Sequence, residues 1–255
     1  MSRRDKPARP QQFGLIVVGD ELLSGSRQDL HFAHFKGLLH DHGLDCLWHW
    51  LLPDDPEVLT AHLRFSMGRD APVFVCGGIG ATPDDYTRGC AAAAAGVALT
   101  RHPQAAALIE QRFGPAAYPE RIAMADLPEG SELIPNAANQ IPGFRLRQHH
   151  FLPGFPEMAW PMAQWVIEHR YPEAADPMRE LAVRIVGVSE SRLIPLMRRL
   201  DRRFPEHKLF SLPHLGPPPT ILLGWRGRAG IEAAFADLRG ELEQEGLAYE
   251  TLPSK

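Results

Sequence analysis

Apolar positions along the chain fall into short runs separated by glycine, proline and aspartate, and each run predicts an element. Residues 13–18 (FGLIVV) form a continuous apolar stretch ending at Gly19, the pattern of a strand buried on both faces of a parallel sheet. Asp29 can cap a helix running to about His42, with Gly43 where a left-handed residue closes it. Residues 44–52 read as a second strand, and Asp55 followed by Pro56 starts a helix that ends near Gly68. Residues 72–76 are a third strand running straight into a glycine loop at 77–85, with helices following at 86–95 and 103–113. The stretch 114–141, rich in proline, glycine and asparagine, reads as decoration made of loops and short hairpin strands. A strand at 149–152 and a helix at 157–169 close the first domain, with Met158, Trp160, Met162 and Trp165 facing core or a subunit interface.

This alternation predicts an α/β fold, a three-layer, doubly wound and mostly parallel sheet whose ligand site lies at the carboxyl ends of the strands. The pattern then changes. Residues 171–177 carry two prolines and little apolar content, the composition of a linker. Strands at 181–188, 207–212, 220–225 and 247–251 and helices at 189–204 and 230–244 follow in the order βαββαβ, a ferredoxin-like α+β unit. The expected organisation is a flexible tail at 1–12, domains at 13–170 and 178–253, and the linker between them.

Composition narrows the function classes. At 255 residues, 44% hydrophobic and 23% charged, the chain buries real cores and is not globally disordered. Its 27 Lys and Arg against 31 Asp and Glu leave a net charge of −4, which gives no general attraction to nucleic acid or an anionic membrane. No apolar run reaches the length of a membrane span, and no apolar core follows the basic start as a signal peptide requires. Cys46, Cys76 and Cys90 form no CxxC pair and leave an odd thiol, so a disulfide framework and a thiolate zinc site are not expected, and a reducing cytoplasm is. Among the 12 histidines, His40, His42, His149 and His150 read as surface or helix-end residues without a zinc set. Arg192, Arg198, Arg199, Arg202 and Arg203 share one expected helix and read as a solvated or phosphate-attracting face.

The strongest chemical signal is Gly77-Gly78-Ile79-Gly80-Ala81-Thr82-Pro83-Asp84-Asp85, between a buried strand and a helix. Glycines there let the backbone turn tightly and aim N–H groups at a bulky anion, and a helix start adds a favourable field. Asp84 and Asp85 can cap that helix, or hold a hard divalent cation that bridges a phosphorylated ligand. No Gly-Lys-Ser/Thr follows and the GxGxxG spacing is absent, which excludes a Walker ATPase and the dinucleotide fingerprint. Residues 187–191 do not complete a nucleophile elbow, so Ser189 reads as a helix N-cap. Strand ends converge on one rim, so Asp20, Asp54 or Asp55, and Asp84 or Asp85 could face one cleft. Such carboxylates repel an anionic ligand unless a cation binds or one is protonated, which reads as a metal-assisted phosphate site. The alternative is a set of separate turn and cap residues.

Gly19-Asp20-Glu21-Leu22-Leu23-Ser24-Gly25, Asp29, the 77–88 segment through Tyr86-Thr87-Arg88, Leu127-Pro128-Glu129-Gly130, Pro142-Gly143-Phe144 and Leu152-Pro153-Gly154-Phe155-Pro156 resemble, in this order, the molybdopterin-binding (MoCF-type) domain. More narrowly, they resemble the amino-terminal part of the competence/damage-inducible protein A family, from residue 13 to about 169 and more weakly through 183–191. That resemblance implies a cleft for molybdopterin or an adenine nucleotide, and relatives that include metal-dependent pyrophosphatases of ADP-ribose-like substrates. It carries Gly77, Gly78, Gly80 and Thr82 over as the ligand loop, Asp84 and Asp85 as the acidic pair, and Asp20, Glu21, Asp54, Asp55, Pro153 and Gly154 as cleft wall. Gly19, Ser24, Gly25 and Thr87 belong to the same motifs as ligand-side positions. Departures flank the ligand: Ala81 stands where the family has proline, Asp29-Leu30-His31 where it has Asp-Thr-Asn, and Phe155 where it often has valine, in a segment one residue shorter.

The expected function is therefore binding of a pyrophosphate-containing nucleotide or pterin, with hydrolysis of the phosphoanhydride. Asp54, Asp84 and Asp85 are the catalytic candidates, and Asp20, Asp84 and Asp85 the ligands of Mg, Mn or Co. Alternatives are a non-catalytic binding or sensor module and a molybdopterin adenylyltransferase. The expected partners are the small molecule and further copies of the chain, a dimer or trimer, with no nucleic acid or membrane. The amidase domain fused in many relatives is expected to be absent.

Overall fold

Period-two alternation in the first strand, β1 (Gln12–Val18), feeds two different cores: Ile16 and Val18 enter one, Phe13, Leu15 and Val17 the other. That double burial explains the unbroken apolar run, because a strand covered on both faces has no polar side to show. The structure is a computed structural model that describes residues 12–172 and 178–253, which form two compact units divided between residues 175 and 176. Residues 1–11 of the expected tail and 173–177 of the expected linker lie outside the described residues.

In the first unit, β1 is followed by α1 (Asp20–Leu23), α2 (His31–Asp41), β2 (Asp45–Leu52), α3 (Pro56–Met67) and β3 (Val73–Cys76). Next come α4 (Thr87–Ala95), β4 (Leu99–Arg101), α5 (Pro103–Phe113), β5 (Asp126–Pro128), β6 (Glu132–Ile134), β7 (Gly143–Leu146), β8 (His149–Leu152) and α6 (Pro156–Arg170). The main sheet has the order β2-β1-β3-β8-β7-β6, its first four strands parallel and the last two antiparallel. Side chains from α3, α4 and α5 cover one face and those from α2 and α6 the other, giving the expected three layers. The chain steps from β1 outward to β2, then returns to place β3 on the opposite side of β1. At such a reversal the connections leave in opposite directions, and a crevice opens between the carboxyl ends of β1 and β3.

Local signals fix several boundaries. Asp55 accepts from the N–H groups of Glu57 and Val58 at 2.9 Å, capping α3 with Pro56 in its first turn. Gly43 has φ 66°, the left-handed conformation that closes α2.

Other expectations need correction. The 19–25 segment is partly helical, as α1, instead of being wholly loop. Residues 114–141 are not decoration: Ala117, Ile122, Ala125, Leu127 and Ile134 are buried in the two cores, and β6 joins the main sheet. These are mostly short, irregularly spaced apolar residues, so no period announces them. His149 and His150 lie inside β8, not on the surface. One nitrogen of each ring finds a partner, His149 Nε2 at Ser66 Oγ, 2.7 Å away, and His150 Nε2 at the Tyr171 hydroxyl, 3.1 Å away, while the two buried Nδ1 atoms have none among the described residues. Burial pushes both imidazoles down to about 3.

The second unit contains β9 (Arg179–Val186), α7 (Glu190–Arg203), β10 (Lys208–His214), β11 (Thr220–Gly227), α8 (Ile231–Gln244) and β12 (Tyr249–Thr251). Its antiparallel sheet has the order β10-β11-β9-β12, the ferredoxin-like arrangement. Leu181, Val183, Ile185, Leu223 and Trp225 pack against the buried faces of α7 and α8. Ser189 precedes α7 without a side-chain capping bond, its hydroxyl 3.1 Å from that of Ser191. Among the described residues no helix is long and apolar enough to cross a membrane.

Candidate functional site

The loop after β3 is built where only glycine fits. Gly77 and Gly78 have φ of 110° and 66°. A Cβ on Gly77 would stand 2.3 Å from the Val18 carbonyl oxygen, and one on Gly78 2.3 Å from Thr87 Oγ1. Both the conformation and the space therefore exclude a side chain. Thr87 latches the turn, its hydroxyl donating to the Gly77 carbonyl at 2.9 Å and its N–H to the Gly78 carbonyl at 3.0 Å.

Asp85 closes the loop on itself. Its Oδ2 accepts from the Thr82 N–H at 2.8 Å and the Thr82 hydroxyl at 2.5 Å. The helix α4 starts beyond it with no side-chain cap, which corrects the capping reading of Asp84 and Asp85. Beneath the loop, the buried Arg88 guanidinium donates to the Gly80 carbonyl at 2.7 Å, to the Asp126 carbonyl at 3.0 Å and to the Ala123 carbonyl. Among the described residues, no protein acceptor takes the N–H groups of Gly78, Ile79, Gly80 and Ala81. Four consecutive unpartnered donors on a strand-end loop form an anion-binding concavity.

This loop forms one wall of a cleft of about 1000 Å³. Gly77, Gly78, Gly80, Thr82, Asp84 and Asp85 line it from β3; Gly19 and Glu21 line it from β1. Asp54, from the end of β2, and Pro153 and Gly154, from the end of β8, complete the expected set. Gly154 lies against Gly77, so that a Cβ on it would stand 3.3 Å from the Gly77 Cα. Five expected residues do not line the cleft, Asp55 among them because its carboxylate is turned to cap α3. Thr87 is buried behind the loop, whereas Ser24 and Gly25 are exposed beyond α1. Asp20 is turned toward Asp54, each carboxylate accepting the other's backbone N–H at 3.2 and 3.0 Å.

That reciprocal pair brings negative charge together. Burial holds the Asp54 carboxyl above the usual carboxylate range, and the charges of Asp20, Glu21 and Asp84 push the same way against the hydrogen bond from the Asp20 N–H. Asp84 is fully exposed, and hydrogen bonding at the loop, its own backbone N–H included, holds it below that range. The Thr82 hydroxyl has a single proton for two carboxylates, and its 2.5 Å contact assigns that proton to Asp85. Among the described residues no three His, Cys, Asp or Glu gather as a metal set. A hard cation that takes one or two carboxylates together with ligand phosphates remains compatible with Asp54 and Asp84.

Several contributors escaped the sequence reading. Arg88 was visible only as part of a motif, and its burial under the loop depends on carbonyls 35 and 38 residues away. His31, 3% exposed, ties α2 to the β8 loop through Nε2 and the Gly154 carbonyl at 3.0 Å. Its own N–H donates to Asp29 Oδ1 at 2.7 Å. Arg27 and Phe155 line the cleft together, the guanidinium carbon 5.8 Å from the ring centroid.

Comparison with known proteins places the chain among relatives. A family model described as a probable molybdopterin binding domain matches residues 14–173. The CinA-like protein of Geobacter sp. (strain M21) is 31% identical over 246 residues, covering 92% of this chain and 58% of its own length. That of Myxococcus xanthus (strain DK1622) is 30% identical over 204 residues, 75% of this chain and 48% of its own. The chain thus spans about half the length of these curated relatives. Among solved structures, the protein CinA with unknown function from Thermoplasma acidophilum matches with a TM-score of 0.59 at 25% identity, over 63% of this chain and 98% of its own.

Proposed function

The chain belongs to the probable molybdopterin binding domain family, and from that premise we propose that its cleft binds a phosphate-bearing pterin or nucleotide and hydrolyses a phosphoanhydride in it. The observation that carries this reading is the row of four N–H groups from Gly78 to Ala81, unpartnered among the described residues and all on residues that line the cleft at the sheet's reversal point. Those donors hold phosphate oxygens and are already oriented for the charge that builds as the anhydride breaks. Arg88 fixes the Gly80 carbonyl from below, which keeps the neighbouring N–H groups aimed outward.

Asp54 suits proton transfer. Its raised pKa makes it a better proton acceptor than an ordinary carboxylate, and its bond to Asp20 holds it at the cleft edge. Asp84 stays ionised and would hold a divalent cation shared with the ligand phosphates, leaving Asp54 free for the proton. Such a cation supplies charge neutralisation and polarisation at phosphorus. Asp85 is a loop clamp in this reading, because both of its hydrogen bonds go to Thr82.

The test is mass-spectrometric product analysis with ADP-ribose, FAD and NAD, each with Mg, Mn or Co, beside Asp54→Asn and Asp85→Ala. AMP release by the wild type, lost in Asp54→Asn while ligand binding persists, is the expected result. Ligand that binds and returns unchanged would replace the hydrolase with a binding module. Adenylylated pterin with released pyrophosphate would make the protein a transferase.

A further inference from the structure

The cleft has two chemically unlike sides. Carboxylates and bare N–H groups crowd the ends of β1, β2 and β3, whereas Leu30, Ile141, Phe155 and Met158 make an apolar wall elsewhere in the cleft. Phe155 is 51% exposed and Leu30 50%, and both line the cleft of about 1000 Å³. Pro156, in the first turn of α6, restrains the chain just after Phe155. Arg27 is the one Lys or Arg among the described lining residues. Six carboxylates line the same cleft, yet among the described residues no ion pair engages Arg27, and its guanidinium lies over the Phe155 ring.

We propose that Phe155 and Arg27 form the stacking clamp that takes the planar ring of that ligand, and so decide how strongly the cleft prefers a ring-bearing phosphate to a bare one. The inference rests on the phosphate-loop reading and adds the other end of the ligand. An aromatic face with a guanidinium above it attracts nitrogen heterocycles through stacking and cation–π contact, with little preference among bases. A ring inserted between the two needs about 7 Å, twice a van der Waals separation. Arg27 is exposed and stands 5.8 Å from the Phe155 centroid, so a rotation of its side chain opens that space. Because Gly154 lies against Gly77, Phe155 is one residue from contact with the glycine loop, and one small ligand can reach both.

The test compares AMP and 6-hydroxymethylpterin phosphate with ribose 5-phosphate, which has a phosphate and no ring base. Calorimetry on the full chain is expected to show at least about tenfold tighter binding of one or both ring-bearing probes. The bound ring protons should show upfield ring-current shifts in NMR. Phe155→Leu, which keeps an apolar side chain, should remove that preference and the shifts while leaving ribose 5-phosphate affinity unchanged; Phe155→Trp should keep both. Equal binding of all three probes, or a preference that survives Phe155→Leu, overturns the clamp, and the loop reading then stands if Gly78→Ala abolishes binding. Absence of binding by every probe to the wild type sinks both.

Discussion

The cleft of the first unit and the α7/α8 face of the second are both dense in charge, but they handle it in opposite ways. Along α7 and α8 the charges cancel: Arg199 pairs with Glu241 at 2.7 Å and Glu245 at 2.8 Å, and Arg203 pairs with Asp237 and with Glu241 at 3.1 Å. Two of the five arginines expected to form a solvated or phosphate-attracting face are therefore neutralised by their own fold. At the cleft, Glu21, Asp54, Asp84 and Asp85 converge with Arg27 as the lone lining Lys or Arg. Paired surface charges contribute little to stability, while gathered like charges work against folding, so the second arrangement points to a ligand that compensates them.

Acid should separate the two units most strongly. His149 and His150 are held neutral in the folded state, with pKa about 3 against an ordinary value of 6.5. Below pH 6.5 the unfolded chain binds protons that the folded one does not, so stability is full above that value and falls as the pH drops toward 3. Each histidine contributes a slope of about 1.4 kcal/mol per pH unit. Urea unfolding of the first unit between pH 7.5 and 4.5 should show this slope, and His150→Asn should roughly halve it; a pH-independent midpoint would refute the buried-neutral assignment.

Gly78→Ala comes next, because its Cβ meets Thr87 Oγ1 at 2.3 Å in a left-handed conformation. A stability loss of roughly 1–3 kcal/mol is expected from the strain, together with lost phosphate binding, as read by thermal melts with and without pyrophosphate. The second unit should melt unchanged. Asp54→Asn should act in two directions: metal-free phosphate affinity rises a few-fold as repulsion is removed, while turnover falls by about a hundredfold or more, the usual range for a lost general base. Titration of both proteins with pyrophosphate, with and without Mg, checks the first half. Arg199→Ala is the smallest expected effect, a melt close to that of the wild type with any difference further reduced by salt, because the pair is exposed on the arginine side. A larger cost in a salt-dependent melt would make the α7/α8 face structural in a way its exposure does not suggest.

Much of the framework was legible because its signals are local. Buried strands announce themselves as apolar runs, Asp55-Pro56 as a helix start, and three glycines after β3 as a loop that must turn sharply. Residues 114–141 were misjudged for the opposite reason: their buried residues carry no period, and only neighbouring elements make them core. The histidines of β8 were misplaced because an imidazole becomes a buried neutral group only when an oxygen such as that of Ser66 or Tyr171 is brought to it.

By itself, then, the sequence determined the order of the main strands and long helices, the change in pattern across residues 171–177, and the loop in which glycine is the only residue the backbone accepts. These follow from local sterics and from the side-chain periods of strand and helix. Tertiary structure alone decided that Asp20 would face Asp54 across 34 residues, that Arg88 would brace Gly80 from beneath, and that Phe155 would meet Arg27 at the cleft. The physical reason is that electrostatic and hydrogen-bond partners are chosen by distance in space, and winding the strands into a sheet sets those distances between residues that no local pattern connects.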